Sequence, residues 1–295
     1  MNDFRLPLGT IVEGFIDWIT DTFGFLFDFI RAVFDGAYEM VDFLLVTPPF
    51  WVIIVLAAGL ALATRGWKFM VGTILGLLVI VGVDQWENAM DTLALVLVAS
   101  VLAIAFSLPL GILAAKSSVA SGIIRPILDF MQTMPAFVYL IPALILFRVG
   151  VVPGIVATII FAMAPGVRLT ELGIRGVDQE VVEAGQAFGA SPWRILRQIQ
   201  LPLAMPTIMA GINQVIMLSL SMVVIAGMVG AGGLGADVVA SLNRIDVALG
   251  FEAGLAVVIL AIFLDRMTAA LGTGDTPLGR ILAARKRRSQ QALAA

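Results

Sequence analysis

Residue types that carry covalent or metal chemistry are scarce in this chain. Its 295 residues include no cysteine and no histidine, which excludes thiol nucleophiles, disulfide bonds, histidine-ligated metals and imidazole acid–base catalysis. The carboxylates are scattered along the sequence, and no nucleophile–base pair or metal-ligand spacing is evident. We therefore predict no catalytic, cofactor-binding or metal-binding residue in this chain.

One glycine-rich stretch has the spacing of a nucleotide-binding motif. Residues 230–235, GAGGLG, satisfy G-x-G-x-x-G, but that pattern indicates a dinucleotide site only between a strand and a helix of a βαβ unit. Here the stretch follows a long apolar run that has the character of a helix. We predict instead a tight turn, on the outer side of a membrane, where glycines let backbones approach closely.

A polar segment between long apolar runs has the residue types of a docking surface. It reads EAGQAFGASPWRILRQIQLP and covers residues 183–202. Asp178 is a candidate cap for a helix starting at Gln179, and Gly189 fits the position just past the helix end, where positive φ is favourable. Three apolar residues are predicted to share one face of this helix: Val181, Ala184 and Phe188.

A second helix is predicted to follow the first. Ser191-Pro192 has the pattern of an N-cap and a first helical residue, and the helix continues through Ile195, Leu196 and Ile199 before Leu201-Pro202. We call residues 178–202 the knob. Its small residues would let a groove of another protein approach closely.

The elements that position the knob are membrane helices. The chain is 60% hydrophobic and 13% charged, whereas soluble domains are about 25% charged. Since a spanning helix needs roughly 17–25 apolar residues, we predict an all-α polytopic membrane protein with about seven transmembrane helices, the first two of them short. Their approximate bounds are 50–64, 68–83, 92–115, 128–148, 151–167, 205–230 and 247–270.

The basic residues predict an orientation for these spans. Lysine and arginine near span ends favour the cytoplasm, and an arrangement with the N-terminus outside and the C-terminus inside places most of the 18 basic residues in the cytoplasm. Four remain outside: Arg5, Arg31, Arg148 and Arg244. The knob then belongs to the longest inner loop, 168–202.

Residues 8–46 form a different kind of segment. Acidic residues recur every seven positions among large apolar ones, the pattern of an amphipathic helix with an acidic edge. The acids are Asp21, Asp28, Asp35 and Asp42. One interpretation is an interfacial helix, or two, on the outer membrane surface; the other is a scaffold that braces the spans or a partner chain.

Polar residues within the spans are few. Asn213, Gln214, Ser219 and Ser221 in the sixth span are candidates for lining a transport path, although interhelical hydrogen bonding explains such residues equally well. Prolines are predicted to bend two spans: Pro109 the third, and Pro135 and Pro142 the fourth. Such bends could shape a cavity or aid packing.

The knob resembles the EAA loop of ABC importer permeases. Glu183-Ala184, Gly189, Ile199 and Leu201-Pro202 stand at the spacing of that family's motif, and Gly185 replaces its usual second alanine. In that family the loop is the coupling helix that docks into the cytoplasmic ATPase. The resemblance therefore implies that these seven residues form an ATPase-coupling loop.

Residues 85–270 further resemble the permease of glycine betaine/proline betaine importers. The resemblance is carried by DFMQTMPAFVYLIPALILF (129–147), GIVATIIFAMAPGVRLTELGIR (154–175), PTIMAGINQVIMLSLSMVVIAGMVGAGGLG (206–235) and ALGFEAGLAVVILAIFLDRMT (248–268). It implies the type I ABC importer permease fold. The expected organisation is an extracytoplasmic amphipathic helical segment over 1–49, two N-terminal transmembrane helices over 50–84, the importer core with the coupling loop over 85–271, and a cytoplasmic basic tail over 272–295.

The resemblance also implies partners. The chain lacks the G-x-x-x-x-G-K-[ST] phosphate loop, so ATP and Mg²⁺ are expected on a pair of cytoplasmic ATP-binding subunits. An extracytoplasmic solute-binding protein would deliver the solute, and one coupling loop per chain favours a two-fold homodimer in the bacterial inner membrane. No nucleic acid partner is expected. The predicted role is osmoprotective import, with proline, choline, carnitine or ectoine as other possible cargoes and an ion-coupled secondary transporter as the rival class.

Overall fold

The computed structural model describes residues 7–273, and all secondary structure in that range is helical. This follows from the composition, because a helix satisfies its backbone polar groups internally when lipid surrounds it. Most of the predicted basic tail, residues 274–295, lies outside the described residues. The helices are α1 (Leu8–Val46), α2 (Phe50–Arg65), α3 (Trp67–Gly82), α4 (Trp86–Lys116), α5 (Ser118–Thr133), α6 (Ala136–Phe147), α7 (Val151–Arg175), α8 (Gln179–Ala187), α9 (Pro192–Ile195), α10 (Leu201–Ser221), α11 (Val223–Met228), α12 (Gly233–Arg244) and α13 (Val247–Thr273), with a π-helical segment Leu196–Gln200 between α9 and α10.

Four helical stretches of the described chain are long and apolar enough to cross a membrane: Trp86–Lys116, Val151–Arg175, Pro192–Met228 and Val247–Ala270. The number becomes six if each of two bent pairs, α1 with α2 and α5 with α6, counts as one span. This differs from the seven predicted. Helices α2 and α3 have 16 residues each, about 24 Å at roughly 1.5 Å per residue, less than a hydrocarbon core of about 30 Å.

The predicted fourth span, 128–148, is not one continuous helix. Helices α5 and α6 meet at an angle of 98°, and the break falls at Met134-Pro135. Met134 is extended, with φ −73° and ψ 135°, because a proline disfavours the helical conformation in the residue before it. Pro135 therefore bends this span as predicted, whereas Pro142 and Pro109 lie inside α6 and α4.

Helix α1 packs along the outside of the core. Its backbone leaves helical geometry at Phe23, and a set of residues in its second half packs against the largest buried cluster: Phe34, Ala37, Tyr38, Val41 and Leu45. The ring of Phe27 lies 5.6 Å from that of Phe147 on α6, edge to face. Through these contacts α1 supports the bundle from outside, and most of its remaining surface is exposed.

Small residues on α7 let the central helices approach closely. A Cβ atom at Gly166 would lie 2.5 Å from Ser107 Oγ on α4, and one at Gly154 would lie 2.8 Å from Ala226 Cβ on α11. Close approach through small residues is the usual packing mode of membrane helices. Helices α4, α7, α10 and α13 thereby surround a core that contains Met90, Ile155 and Leu260.

The glycine-rich stretch is a turn between α11 and α12, as predicted from its glycines. Gly230, Gly232 and Gly233 have φ of +87°, +74° and +65°. The turn is fastened to α4, since the backbone N–H of Leu234 donates to Thr92 Oγ1 at 2.9 Å. A helix precedes it, so the strand–glycine–helix context of a dinucleotide site is missing from this part of the structure.

We expect Gly235→Ala to destabilise the protein strongly. A Cβ atom at this position would lie 2.1 Å from the carbonyl oxygen of Val223, and backbone cannot give way as a side chain can. Overpacking costs about 1–3 kcal/mol, occasionally more, so the unfolding midpoint of the purified chain in detergent should fall. Gly254→Ala is the matched control, because its Cβ would meet nothing within 4 Å. Equal midpoints for the two variants would contradict the prediction.

Candidate functional site

The first leg of the knob is α8, and its caps are those predicted. The backbone N–H of Glu180 donates to Asp178 Oδ1 at 2.9 Å. At the other end Gly189 has φ +75°, and its N–H donates to the carbonyl oxygen of Gln186 at 2.8 Å. The positive φ predicted for Gly189 is thus confirmed, and it reverses the chain between the two legs.

The second leg begins as predicted but does not end as predicted. Ser191 accepts from the backbone N–H of Arg194 at 3.4 Å, and Pro192 occupies the first turn. The helix then runs through the π-helical segment Leu196–Gln200 directly into α10, so Leu201-Pro202 ends no element. A π turn gives a proline ring more room than an α turn does, which explains how Pro202 is accommodated within a continuous rod.

The inward side of the knob is an apolar cluster. Val182 of α8 and Ile195 and Leu196 of the second leg are buried together with Ile174 at the end of α7 and Val177 in the turn that follows it. Gly185 belongs to the same contact, because a Cβ there would lie 2.7 Å from Ile199 Cδ1. Gly185 and Ile199, two residues of the motif, therefore hold the legs together.

The predicted apolar face of α8 is exposed to solvent in the structure. Phe188 is 92% exposed and Val181 41% exposed, and Ala184 and Glu183 are exposed beside them. Helical spacing groups Val181, Ala184 and Phe188 on one face, but the adjacent row is the one that meets Ile199. We call these four residues the knob surface: Val181, Glu183, Ala184 and Phe188.

Residues predicted on the same side of the membrane meet in the structure. On the knob side, Lys116 donates to Gln200, and Arg65 Nε donates to the carbonyl oxygen of Arg266 at 3.1 Å. At the other end, Arg148 pairs with Asp28 at 3.4 Å. The charge pattern thus sorted these chain segments correctly between two ends of the molecule.

That opposite end also holds α12 in place by hydrogen bonds. Gln85 Nε2 and Asn88 Nδ2 donate to Asp237 Oδ2 at 3.0 and 2.7 Å. Gln85 and Asn88 flank the start of α4, and Asp237 lies on α12. Both segments were predicted on the outer side, so this contact agrees with the same division into two ends.

The four path-lining candidates on α10 do not form one group. Asn213 Nδ2 donates to Asp265 Oδ1 on α13 at 3.1 Å and its Oδ1 accepts from Thr268. Ser219 is buried and donates to the carbonyl oxygen of Val215 in its own helix. Gln214 and Ser221 are exposed and lie two turns apart on one face of α10.

A buried carboxylate near the knob was not identified from the sequence. Glu171 on α7 is 1% exposed and accepts from Ser121 Oγ at 2.7 Å and from Arg125 Nη2 at 3.0 Å, both on α5. Arg175 Nε lies 3.1 Å from the same oxygen, one helical turn further along α7. The spacing Arg168-x-x-Glu171-x-x-x-Arg175 on a predicted helix is the signal that could have indicated a charged row there.

Comparison with protein families gives one match over most of the helical core. Residues 107–273 match the family described as binding-protein-dependent transport system inner membrane component. The chain is 49% identical over 264 residues to the glycine betaine/carnitine transport permease protein GbuB of Listeria monocytogenes serotype 1/2a (strain 10403S), an alignment that covers 88% of this chain and 90% of that protein.

Two further relatives are similar at almost the same level. The glycine betaine/proline betaine transport system permease protein ProW of Escherichia coli (strain K12) is 48% identical, with 93% of this chain and 77% of that protein covered. The glycine betaine transport system permease protein OpuAB of Bacillus subtilis (strain 168) is 47% identical, with 90% and 94% covered.

Among solved structures, the fold is similar to a chain of the inward-facing MetNI methionine ABC transporter. The TM-score is 0.58 at 20% identity, covering 62% of this chain and 92% of that one. A second crystal form gives a TM-score of 0.59. The likeness confirms the predicted importer permease fold.

Proposed function

We propose that this chain, which belongs to the family of binding-protein-dependent transport system inner membrane components, imports a betaine-type compatible solute as the permease subunit of an ATP-driven transporter. The observation that carries the choice of cargo is the identity of 49%, 48% and 47%, over most of the chain, to three permeases whose names include glycine betaine transport. Glycine betaine is the proposed cargo, and osmoprotection is the proposed role.

The proposed energy source is a partner ATPase that docks on the knob. The chain lacks a phosphate loop, so ATP and Mg²⁺ would be bound by a pair of cytoplasmic subunits. The knob surface supports this assignment, because it presents an exposed phenylalanine and small neighbours on a body whose inner side is packed. A second copy of the chain and an extracytoplasmic solute-binding protein complete the proposed assembly.

Within the membrane, we assign Gln214 and Ser221 to the solute path. Both are exposed on one face of α10, where a second copy of the chain could enclose a channel with them. Asn213 bonds to Asp265 and Thr268 of α13, so its proposed contribution is to hold α10 in position. Ser219 is buried, so we do not assign it to the path.

The rival mechanism, ion-coupled transport, relies on ionisable groups that face the path inside the membrane. Among the described residues, Glu171 is the one charged side chain that is almost fully buried. It pairs with two arginines, Arg125 and Arg175, and this pairing favours a structural role for the carboxylate over that of a proton carrier.

The proposed function is tested with vesicles that contain the purified permease, ATPase and binding protein. Labelled glycine betaine should accumulate when ATP is present on the knob side, and an uncoupler that collapses proton and sodium gradients should leave this uptake intact. The permease alone should transport nothing. Gradient-driven uptake by the permease alone would contradict the importer assignment, whereas ATP-driven uptake of a different osmolyte would contradict only the cargo.

The proposed orientation predicts a labelling pattern for single cysteines, which can be introduced freely because the chain has none. Asn243 and Gln186 are exposed at opposite ends of the molecule. In intact cells, an impermeant maleimide should label Asn243→Cys and should label Gln186→Cys only after permeabilisation. The reverse pattern would show that the knob faces outward. The chain without an introduced cysteine is the control for background labelling.

A further inference from the structure

Helices α5 and α7 are joined by an ionic seam near the knob. Its central residue is Glu171, which receives a two-pronged contact from Arg125: Nη2 to Oε1 at 3.0 Å and Nε to Oε2 at 3.1 Å. Ser121 donates to Oε1 at 2.7 Å from one turn before Arg125. Bidentate arginine–carboxylate pairs are among the strongest and most directional polar contacts in proteins.

The seam extends on both sides of Glu171. One turn nearer the membrane centre, Arg168 of α7 pairs with Asp129 of α5. One turn nearer the knob, Arg175 contacts Glu171. Arg175 Nη2 also donates to the carbonyl oxygen of Ala114 on α4 at 2.8 Å, so the seam includes α4 as well. The charges alternate along both helices, so the seam fixes the register of α5 against α7.

Apart from the seam, α5 is held by one small apolar cluster, in which Leu128, Ile124 and Met131 pack with Ala164 and Val167 of α7. Of its 16 residues only Ser121 and Leu128 are buried, and its outward row of large apolar residues is exposed: Val119, Ile123, Ile127 and Phe130. Both ends are joints of extended backbone, at Ser117 (φ −133°, ψ 120°) and at Met134 (φ −73°, ψ 135°). The seam therefore supplies the directional polar contacts that fix α5 against α7, in addition to this small cluster.

The other side of the seam is continuous with the knob. Ile174 and Val177, which follow Glu171 on α7 and the turn after it, are buried in one cluster with Val182 and Ile195 of the knob. Packed apolar clusters behave as solid bodies rather than as fluid. A push on the knob surface therefore displaces the end of α7 and carries Glu171 with it.

We propose that Glu171 is a positioning residue for coupling: through Arg125 and Ser121 it makes α5 follow the knob, so that motion of the partner ATPase reaches the bent α5–α6 pair. The inference rests on the proposed function, in which an ATPase drives the knob. It adds the route by which the motion leaves the knob and the residue on which that route depends.

The test is Glu171→Gln in the complete reconstituted transporter. The side chain keeps its size and loses its charge, and the arginines it leaves are 56% and 41% exposed, so water can solvate them and the chain should fold. The knob surface is untouched, so solute should still stimulate ATP hydrolysis. Solute imported per ATP hydrolysed should fall at least about tenfold, within the usual range of coupling energies.

The control for the loss of an ion pair is Asp28→Asn, which breaks the exposed pair with Arg148 at the other end of the molecule. It should leave the transport-to-hydrolysis ratio unchanged. Wild-type uptake in the same vesicles verifies the proposed function separately, so its failure cannot be confused with failure of the coupling route.

A charge swap keeps the proposal falsifiable should Glu171→Gln fail to fold. Arg168 and Asp129 are 41% and 64% exposed, so Asp129→Arg and Arg168→Asp are not core changes. Each single variant should lower the transport-to-hydrolysis ratio, and the double variant should regain most of it. An unchanged ratio in Glu171→Gln, or in both single variants, would overturn the proposal, as would single defects that the double variant does not relieve.

Discussion

We expect Phe188→Asp to abolish solute-stimulated ATP hydrolysis by the assembled transporter and to leave the folded permease in the membrane. Phe188 is 92% exposed, so its replacement removes no packing within the chain, and surface substitutions of this kind change stability by about 0.5 kcal/mol or less. In the docked complex the ring is expected to fill a groove of the ATPase. A buried aromatic anchor contributes about 2–4 kcal/mol to docking, and an aspartate there would also have to lose its hydration.

Affinity between purified permease and ATPase should therefore fall about a hundredfold or more, and basal ATP hydrolysis should become insensitive to solute. Phe188→Tyr keeps the ring and should keep coupling. Val247→Asp makes a similar apolar-to-acid change at an 81% exposed position at the opposite end, and it should not affect ATPase binding. Normal ATPase binding by Phe188→Asp would contradict the assignment of the knob surface as the docking site of the ATPase.

Gly189→Val should insert normally and lose transport. The position has φ +75°, and a Cβ would meet nothing within 4 Å. The free-energy cost of the substitution therefore arises from the backbone conformation and not from a clash with neighbouring atoms. A β-branched residue with positive φ is strongly disfavoured, at about 1–3 kcal/mol for such strain. Relaxing that strain would disturb the bonds from Gly189 N–H to Gln186 and from Ala190 N–H to Gly185.

The turn between the legs would then shift, and with it Phe188. Solute-stimulated ATP hydrolysis and uptake should both drop to background, while the amount of chain in the membrane stays normal. Gly189→Asn is the matched variant, because asparagine tolerates positive φ, and it should retain much of the activity. Full transport by Gly189→Val would contradict both the strain argument and the coupling role of this turn.

Short-range chemistry specifies the two legs of the knob and the turn between them. The caps at Asp178 and Ser191 depend on residues two to three positions apart, and the chain reversal depends on one glycine. Both features can therefore be predicted from the local sequence. The same holds for the break at Met134-Pro135, where the proline restricts the residue beside it. Charge near the span ends likewise sorted segments between two sides, because each basic residue acts on its own flank.

Where the burial of a residue or the course of a helix depends on contacts beyond the local sequence, the sequence did not predict it. Helical spacing showed that Val181, Ala184 and Phe188 share a face, but only the approach of Ile199 to Gly185 decided that the neighbouring row points inward. Pro202 has the chemistry of a helix breaker, yet the π turn that precedes it lets the helix continue.

The burial of Glu171 is the clearest example of a feature that the sequence did not predict. Its nearest donors on α5 stand 50 and 46 positions away in the chain, and no local pattern specifies that a charged residue four positions from the end of α7 is buried. The sequence by itself determined that this is a helical membrane protein and where the knob lies, since these follow from composition and short-range preferences. The tertiary structure alone decided which face of the knob is exposed and which carboxylate joins α5 to α7, because burial and ion pairing depend on which helices meet.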